Sequence, residues 1–225
     1  MVRRTKIAHG LRWTTGGGIG LKLVVVSQRI DAWSDRCETR DALDQKLVEF
    51  LLEIDCLAVP ISNRYGKVNE GGSGDRRAFL EWIHLIKPEA VLLSGGNDVG
   101  QYESRDTVEI WLTEYAQQQK LPLLGICRGM QLMAYLAGST LEEVSDHVAT
   151  KHMVSGEINS KVNSYHNLGL KRAPDGYEVL ATSEDGVIEA IRHLQLPWEG
   201  WMWHPERESP FVKVDIDRAR NLFGS

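Results

Sequence analysis

The amino-acid sequence predicts an α/β protein, built as a three-layer sandwich with a mostly parallel central sheet and an antiparallel C-terminal extension. Two observations support this fold class. In the first half, short apolar runs alternate with segments of helical periodicity, which favours parallel strands joined by right-handed crossover helices. After residue 141, short strand-like segments follow one another with turns between them, which is typical of antiparallel pairing.

The first half supplies the predicted parallel strands and their helices. An unbroken apolar run such as Ala90–Leu93 is typical of a strand buried on both faces. Residues such as Leu43, Leu47 and Phe50 instead recur at helical spacing. The predicted strands are residues 21–26, 56–61, 90–93 and 121–126. The predicted helices are residues 41–52, 78–86, 106–119 and a helix after Cys127 that ends near Gly138.

The second half supplies the antiparallel extension. Turn signals at 174–176 (Pro-Asp-Gly) and 184–186 (Glu-Asp-Gly) separate its strand-like segments. Those segments are residues 152–158, 161–164, 177–181, 187–192 and 200–203, and a helix over 215–223 closes the chain.

Domain organisation is predicted as a leader over residues 1–20 followed by one domain over residues 21–225. The leader is basic and contains three consecutive glycines at 16–18, which favours a flexible or tag-like segment. It lacks the apolar core of a secretory signal, and it also lacks the serine content and amphipathic pattern of a transit peptide.

Composition excludes several classes of function. The 225 residues carry a formal net charge of −5, so a nucleic-acid partner is not expected. No apolar run reaches membrane-spanning length, so a membrane partner is not expected either. The three cysteines are scattered and do not form a disulfide framework, which predicts a location in the reducing cytoplasm. A homodimer is compatible with all of these features.

Cys127 is the first candidate for chemistry. It lies where a predicted strand turns into a helix, between Gly125 and Gly129. Small neighbours allow the sharp turn of a nucleophile elbow, and a helix N-terminus stabilises a thiolate. The structural alternative is a core cysteine that follows a buried strand.

Two further stretches have the residue types that a thiol nucleophile needs. Residues 94–98 (Ser-Gly-Gly-Asn-Asp) follow a buried strand, and two glycines there suit a loop whose N–H groups hold an oxyanion, or simply a turn. In residues 203–206 (Trp-His-Pro-Glu), His204 is a candidate base and Glu206 a candidate acceptor that orients it. A surface loop is the alternative interpretation of that segment.

Residues 163–167 (Asn-Ser-Tyr-His-Asn) follow a predicted strand and are polar enough to line a substrate pocket. His166 and His152 are rivals for the role of base. His147 and His152 lack the close spacing of usual zinc ligands and have no matching cysteine pair, so no metal is predicted. The chain also has no glycine-rich phosphate loop with a lysine, and no cofactor is predicted.

Three of these motifs, 94–98, 125–129 and 203–206, occur in the order expected of class I glutamine amidotransferase-like proteins, which the chain resembles from about Leu21 to its end. The resemblance implies a flavodoxin-like fold and a catalytic triad of Cys127, His204 and Glu206. It places the oxyanion hole at the backbone N–H groups of Gly96 and Arg128. Chain size and the segment 105–109 resemble the γ-glutamyl hydrolase (peptidase C26-like) branch.

More narrowly, residues 27–29, 163–167, 183–190 and 203–208 are similar to those of γ-glutamyl-CDP-amidate hydrolases. Those enzymes release glutamate and cytidine diphosphoramidate in the phosphoramidate decoration of surface polysaccharides such as the capsule. The resemblance implies a small-molecule γ-glutamyl substrate, here linked to a nucleotide. The alternatives are a γ-glutamyl-aminobutyrate-type hydrolase, a glutaminase subunit that supplies ammonia to a synthase partner, and a non-catalytic binding protein.

The expected substrate-binding residues cluster in the same segments. They are Gly95, Asn97, Asp98, Gln131, Ser164, Tyr165, His166 and Arg29. Arg29 and Arg128 are candidates for a carboxylate or diphosphate, because a guanidinium is a planar fork of donors. Arg64, Tyr65 and Lys67, in a polar loop over residues 63–75, are further candidates for the nucleotide.

Overall fold

A computed structural model describes residues 20–67 and 74–224. The predicted leader over residues 1–20 lies outside this range except for Gly20, as do residues 68–73 of the polar loop. Within the described part of the chain, no helix combines the length and the apolar character needed to cross a bilayer.

Thirteen strands and five α-helices form the described structure. The strands are β1 (Lys22–Val26), β2 (Arg29–Trp33), β3 (Glu38–Ala42), β4 (Cys56–Pro60), β5 (Ala90–Leu93), β6 (Leu123–Ile126), β7 (Glu142–Glu143), β8 (Val148–Gly156), β9 (Ser160–Tyr165), β10 (Leu168–Gly169), β11 (Tyr177–Ser183), β12 (Ile188–His193) and β13 (Trp198–Trp201). The helices are α1 (Gln45–Glu53), α2 (Arg76–Ile86), α3 (Glu103–Gln119), α4 (Arg128–Leu136) and α5 (Lys213–Phe223). Every predicted element is present, with its ends within four residues of the predicted ones.

The central sheet has nine strands in the order β4-β1-β5-β6-β13-β12-β11-β8-β9. The pairings from β4 to β13 are parallel, and those from β13 to β9 are antiparallel. This arrangement confirms the predicted parallel sheet with an antiparallel extension.

Helices cover both faces of the parallel half. Alternate residues of β1 point to opposite sides, so Val24 packs with α1 and α5 whereas Val25 packs with α2, α3 and α4. Both valines are fully buried, which explains why the parallel strands are continuously apolar. The three predicted layers are therefore present.

One hairpin was missed by the sequence analysis, and the helix predicted over residues 41–52 begins too early for that reason. β2 and β3 pair antiparallel, and α1 begins only at Gln45. The side chain of Asp44 caps α1 by accepting a hydrogen bond from the Lys46 N–H at 3.0 Å. Asp41 instead accepts hydrogen bonds from distant partners, including the Asn63 N–H at 3.0 Å, which local periodicity does not reveal.

Three motifs meet at one edge of the sheet. β5, β6 and β13 are parallel neighbours, so the segments that follow them lie side by side at their carboxyl ends. These segments are the loop 94–98, Cys127 and His204. The sheet order, rather than closeness along the chain, brings them together.

Candidate active site

Cys127 occupies a strained turn between β6 and α4. Its backbone has φ 49° and ψ −104°, a conformation that is rare for a residue with a side chain. The two neighbouring glycines allow this close packing, because a Cβ on Gly129 would lie 2.2 Å from the Leu93 carbonyl oxygen and one on Gly125 would lie 2.6 Å from Met133 Sδ. The geometry is that of a nucleophile elbow.

His204 lies beside Cys127 and is held by two other side chains. Its Nδ1 is 2.7 Å from Glu206 Oε1, and both residues are buried. Asn163 fixes the backbone of His204 from both sides, since Asn163 Nδ2 donates to the His204 carbonyl at 2.8 Å and the His204 N–H donates to Asn163 Oδ1 at 3.0 Å. Asn163 belonged to a predicted polar segment, but its role in positioning His204 was not predicted.

The surroundings of His204 favour its charged form. Burial opposes the imidazolium, but hydrogen bonds with Cys127 and Glu206, together with their charges, raise the pKa of His204 to about 9. A carboxylate on Nδ1 also leaves Nε2 as the ring atom free for proton transfer. The arrangement suits an imidazole that takes and returns a proton at a neighbouring thiol.

The Gly-Gly loop packs directly against this histidine. A Cβ on Gly95 would lie 2.6 Å from His204 Cε1, so only glycine lets the loop and the ring approach each other as they do. Gly96 has φ +107°, and a Cβ there would lie 2.8 Å from Arg29 Cβ. Arg128, the first residue of α4, has a backbone N–H without an intrahelical acceptor, next to Cys127.

A buried arginine holds the Gly-Gly loop in place. Arg105 on α3 is fully buried and donates from Nη2 to the carbonyl oxygens of Ser94 at 2.8 Å and Gly95 at 2.9 Å. Its Nη1 donates to Asn97 Oδ1 at 3.2 Å, and its Nε pairs with Glu109 Oε1 at 3.0 Å. In the sequence, residues 105–109 indicated only a resemblance to a family. The spacing of Arg105 and Glu109 by four residues was the signal that could have indicated this pair.

The guanidinium of Arg128, which borders the cavity that contains Cys127, is part of the same support. It is buried, pairs with Asp106 and Glu109, and donates to the Asn97 carbonyl at 3.1 Å. The expectation that this side chain binds a carboxylate or diphosphate is therefore corrected, because its charge is already compensated inside the protein. The side chain of Asn97 is also engaged, since its amide pairs with both backbone groups of Ile30 at 2.7 and 3.0 Å.

Most of the other predicted substrate-binding residues surround a cavity of about 270 Å³ that contains Cys127. Its lining includes Gly96, Asn97, Asp98, Gln131, Tyr165, His166 and His204. Asp98 is exposed there, whereas Gln131 Nε2 donates to the Leu168 carbonyl at 2.9 Å. Ser164 is not part of this lining, because its hydroxyl is buried and donates to the His147 carbonyl at 2.6 Å.

A second cavity, of about 190 Å³, adjoins the first at Gly96, His204 and Arg207. Arg29 and Gly95 line it, whereas Arg64, Tyr65 and Lys67 line neither cavity. Arg207 lies at the junction, with its guanidinium 4.4 Å from the centre of the Tyr165 ring. Its position was not predicted, although the motif containing it was recognised.

The rival histidines have a different carboxylate partner. The Nε2 atoms of His166 and His152 each lie 3.4 Å from Glu189 Oε1. Only His204 of the three candidates has contacts with both Cys127 and Glu206.

Sequence and structure comparisons relate the chain to known proteins. The family model described as glutamine amidotransferase class-I matches residues 45–211. A γ-glutamyl-CDP-amidate hydrolase from Campylobacter jejuni is 34% identical over 144 residues, which cover 61% of this chain and 71% of the relative. A glutamine-hydrolysing GMP synthase subunit from Methanocaldococcus jannaschii is 33% identical over 138 residues, which cover 56% of this chain and 70% of the relative. The solved structure of a candidate GMP synthase subunit from Thermoplasma acidophilum has a TM-score of 0.65 at 18% identity, over 90% of this chain and 93% of that one.

Proposed function

The chain belongs to the class I glutamine amidotransferase family, and we propose that within it the protein is a cysteine hydrolase of γ-glutamyl amides. The observation that carries the proposal is the contact of the strained Cys127 with His204, whose Nδ1 lies 2.7 Å from Glu206. A binding protein would gain nothing from a strained thiol beside an oriented base, because strain of this kind is stored where chemistry uses it.

The first half of the reaction transfers the γ-glutamyl group to the enzyme. The Cys127 thiol gives its proton to His204, and the thiolate attacks the γ-carbonyl carbon. The resulting oxyanion accepts hydrogen bonds from the backbone N–H groups of Gly96 and Arg128. The carbon–nitrogen bond then breaks, and His204 gives its proton to the leaving nitrogen. Glu206 keeps the imidazolium oriented and compensates its charge.

The second half releases glutamate. His204, now neutral, takes a proton from a water molecule that attacks the thioester carbon, and the carbon–sulfur bond breaks. The proton returns to the Cys127–His204 pair, which restores the starting state. Asp98, exposed in the cavity of Cys127, is the group we assign to the α-amino end of the glutamyl substrate.

We assign the leaving group to the second cavity. Arg29 and Arg207 line it, and two guanidinium groups suit a diphosphate, since each is a planar fork of donors. Arg29 pairs with Asp31, but this pair is exposed and can exchange for a phosphate, unlike the buried pairs of Arg128. The glutamyl group would then lie at Cys127 and the nucleotide would extend past His204. Together with the relative from Campylobacter jejuni, this favours γ-glutamyl-CDP-amidate as the substrate.

A glutaminase subunit is the second candidate, favoured by the similarity to a glutamine-hydrolysing GMP synthase subunit. Such a protein would hydrolyse free glutamine and pass ammonia to a synthase. It would have no use for an arginine-lined cavity on the leaving-group side of the nucleophile, because ammonia is small and carries no phosphate.

Glutamate release from a set of γ-glutamyl amides tests the assignment. The set contains γ-glutamyl-CDP-amidate, γ-glutamyl-aminobutyrate and glutamine, all measured with the isolated chain. We expect the nucleotide substrate to have the highest kcat/KM. A higher kcat/KM for glutamine would contradict the substrate assignment while leaving the thiol mechanism intact.

Arg207→Ala separates recognition of the leaving group from the chemistry at Cys127. We expect KM for the nucleotide substrate to rise about tenfold, the loss of one charged hydrogen bond, with little change in kcat/KM for glutamine. Arg77→Ala is the matched control, because Arg77 is exposed on α2 and lines neither cavity. Equal effects of Arg207→Ala on both substrates would refute a role in binding the leaving group.

A further inference from the structure

A second polar cluster includes His166 of the segment 163–167 but neither Cys127 nor the two residues paired with it. It consists of His147, His166 and Glu189, with His152 beside it. The three principal members are buried, and Glu189 is fully buried on β12. They come from three separate parts of the antiparallel extension.

The separations of the ligand atoms match one face of a tetrahedron. His147 Nδ1 lies 3.3 Å from His166 Nε2 and 3.2 Å from Glu189 Oε1, and His166 Nε2 lies 3.4 Å from the same oxygen. In a tetrahedral zinc site with bonds of about 2.0–2.1 Å, neighbouring ligand atoms are roughly 3.3 Å apart. A metal ion would therefore fit with little movement of these side chains.

The outer nitrogens of both histidines are already occupied. His147 Nε2 is 3.1 Å from Asp185 Oδ2, and His166 Nδ1 is 3.0 Å from the Leu168 carbonyl oxygen. Both partners are acceptors, so each outer nitrogen carries the ring proton. A ring that carries its proton on the outer nitrogen can present a lone pair from its inner nitrogen, which is how metal-binding histidines are oriented in proteins.

Glu189 adds a negative charge to this point. Neither of its carboxylate oxygens has a hydrogen-bond partner, although both are buried. The two inner nitrogens and this buried carboxylate converge on one point, and a cation bound there would compensate the cost of burying the carboxylate.

We propose that His147 Nδ1, His166 Nε2 and Glu189 Oε1 bind one divalent transition-metal ion, with Zn²⁺ as the ion best matched to this donor set. Two imidazoles and a carboxylate favour zinc over magnesium or calcium, which prefer oxygen ligands. His152 Nε2 lies 3.4 Å from Glu189 Oε1 and is the candidate for the fourth position. Asp185 acts as the outer partner that orients His147.

An ion can reach this cluster from the surface. His147, His152 and Asp185 line an open cavity of about 500 Å³. His166 connects the cluster to the site of Cys127, because it also lines the cavity that contains Cys127. The ion would hold the segment 163–167 against β12 and so fix one wall of that cavity, without taking part in the reaction.

Sequence spacing could not indicate this site. His147 and His166 are 19 residues apart and Glu189 lies further along the chain. Antiparallel pairing of β8 with β9 brings the two histidines together. The close ligand pairs expected of short zinc motifs are therefore absent, although the ligand atoms meet in space.

Zinc titration with a competing chromophoric chelator tests the proposal. It is run on a Cys127→Ala background, so that the thiol beside His204 contributes no ligand. We expect one zinc ion per chain, with affinity lowered at least 100-fold by His147→Gln and by Glu189→Gln, since even outer-shell changes lower metal affinity by about 10–100-fold. His84→Gln is the matched control, because His84 is exposed on α2, and it should leave the affinity unchanged.

Cobalt(II) binding to the same Cys127→Ala protein is a second test, and it does not require any ligand variant to fold. We expect visible d–d absorption of nitrogen and oxygen ligation, without a thiolate charge-transfer band. Failure of the folded background protein to bind zinc stoichiometrically would overturn the proposal, as would equal affinity in the ligand variants and His84→Gln. Proton NMR that shows His147 or His166 as an imidazolium in the presence of zinc would overturn it too, because a proton would then be the cation of the cluster.

Discussion

Gly95→Ala should displace His204 and lower the activity while it changes the stability of the fold only moderately. The added Cβ would lie 2.6 Å from His204 Cε1 and 3.4 Å from Nε2, whereas carbon atoms prefer about 3.5–4.0 Å. The backbone of Gly95 does not have a positive φ, so the perturbation is a steric contact and not backbone strain. The ring must therefore move away by about 1 Å.

The magnitude follows from that movement. A misplacement of about 1 Å at a reacting group costs roughly 100-fold in rate, so we expect kcat/KM for γ-glutamyl amides to fall by about two orders of magnitude. Overpacking costs typically 1–3 kcal/mol in the free energy of unfolding, or roughly 2–12 °C in Tm for a domain of this size. Activity should thus fall far more than stability.

Glutamate release and thermal unfolding of the same preparations measure the two effects. Gly20→Ala serves as the control, since a Cβ at Gly20 meets nothing within 4 Å. A folded Gly95→Ala protein with kcat/KM within twofold of the unmodified chain would refute the reasoning, because His204 would then tolerate displacement or take no part in the reaction.

Three further predictions concern the same site. Cys127→Ser should lower kcat at least roughly 10³-fold, and unchanged hydrolysis would exclude Cys127 as the nucleophile. His204 must be protonated to assist the leaving group, and its pKa is raised to about 9, so kcat/KM should fall as pH rises through about 9. Glu206→Gln removes one cause of the raised pKa of His204, so this fall in kcat/KM should move to lower pH. An unchanged pH profile would contradict the pairing of His204 with Glu206. Arg105→Lys should lower the free energy of unfolding by roughly 3 kcal/mol in urea titrations, since lysine cannot keep all the bonds to the Gly-Gly loop; an unchanged value would show that the loop does not depend on them.

Much of the fold was predictable because the parallel strands are defined by local composition. Strands buried on both faces, such as β1 and β5, are unbroken apolar runs that differ clearly from the amphipathic helices between them. The β2–β3 hairpin was missed because its residues are largely polar and partly exposed, and long-range bonds such as that of Asp41 to Asn63 stabilise the surrounding structure. Periodicity carries no information about partners that are distant in the chain.

The candidate site likewise has features that the sequence predicted and features that only the structure revealed. Cys127, His204 and Glu206 stand in short motifs whose residue types indicate a nucleophile, a base and an acceptor, so the sequence alone determined which groups to consider. Only the tertiary structure decided what surrounds them, because the order of β5, β6 and β13 places the three motifs at one edge of the sheet.

The tertiary structure also decided which charged residues are available to a ligand. Arg29, Arg105 and Arg128 all have ion-pair partners, yet Arg29 pairs with Asp31 at the surface beside a cavity, while the other two are buried within the protein. The cluster of His147, His166 and Glu189 was likewise assembled by antiparallel pairing. Burial and partner choice depend on the whole packed fold, and for that reason the sequence determined the chemistry of single groups while the structure determined their protonation, orientation and access.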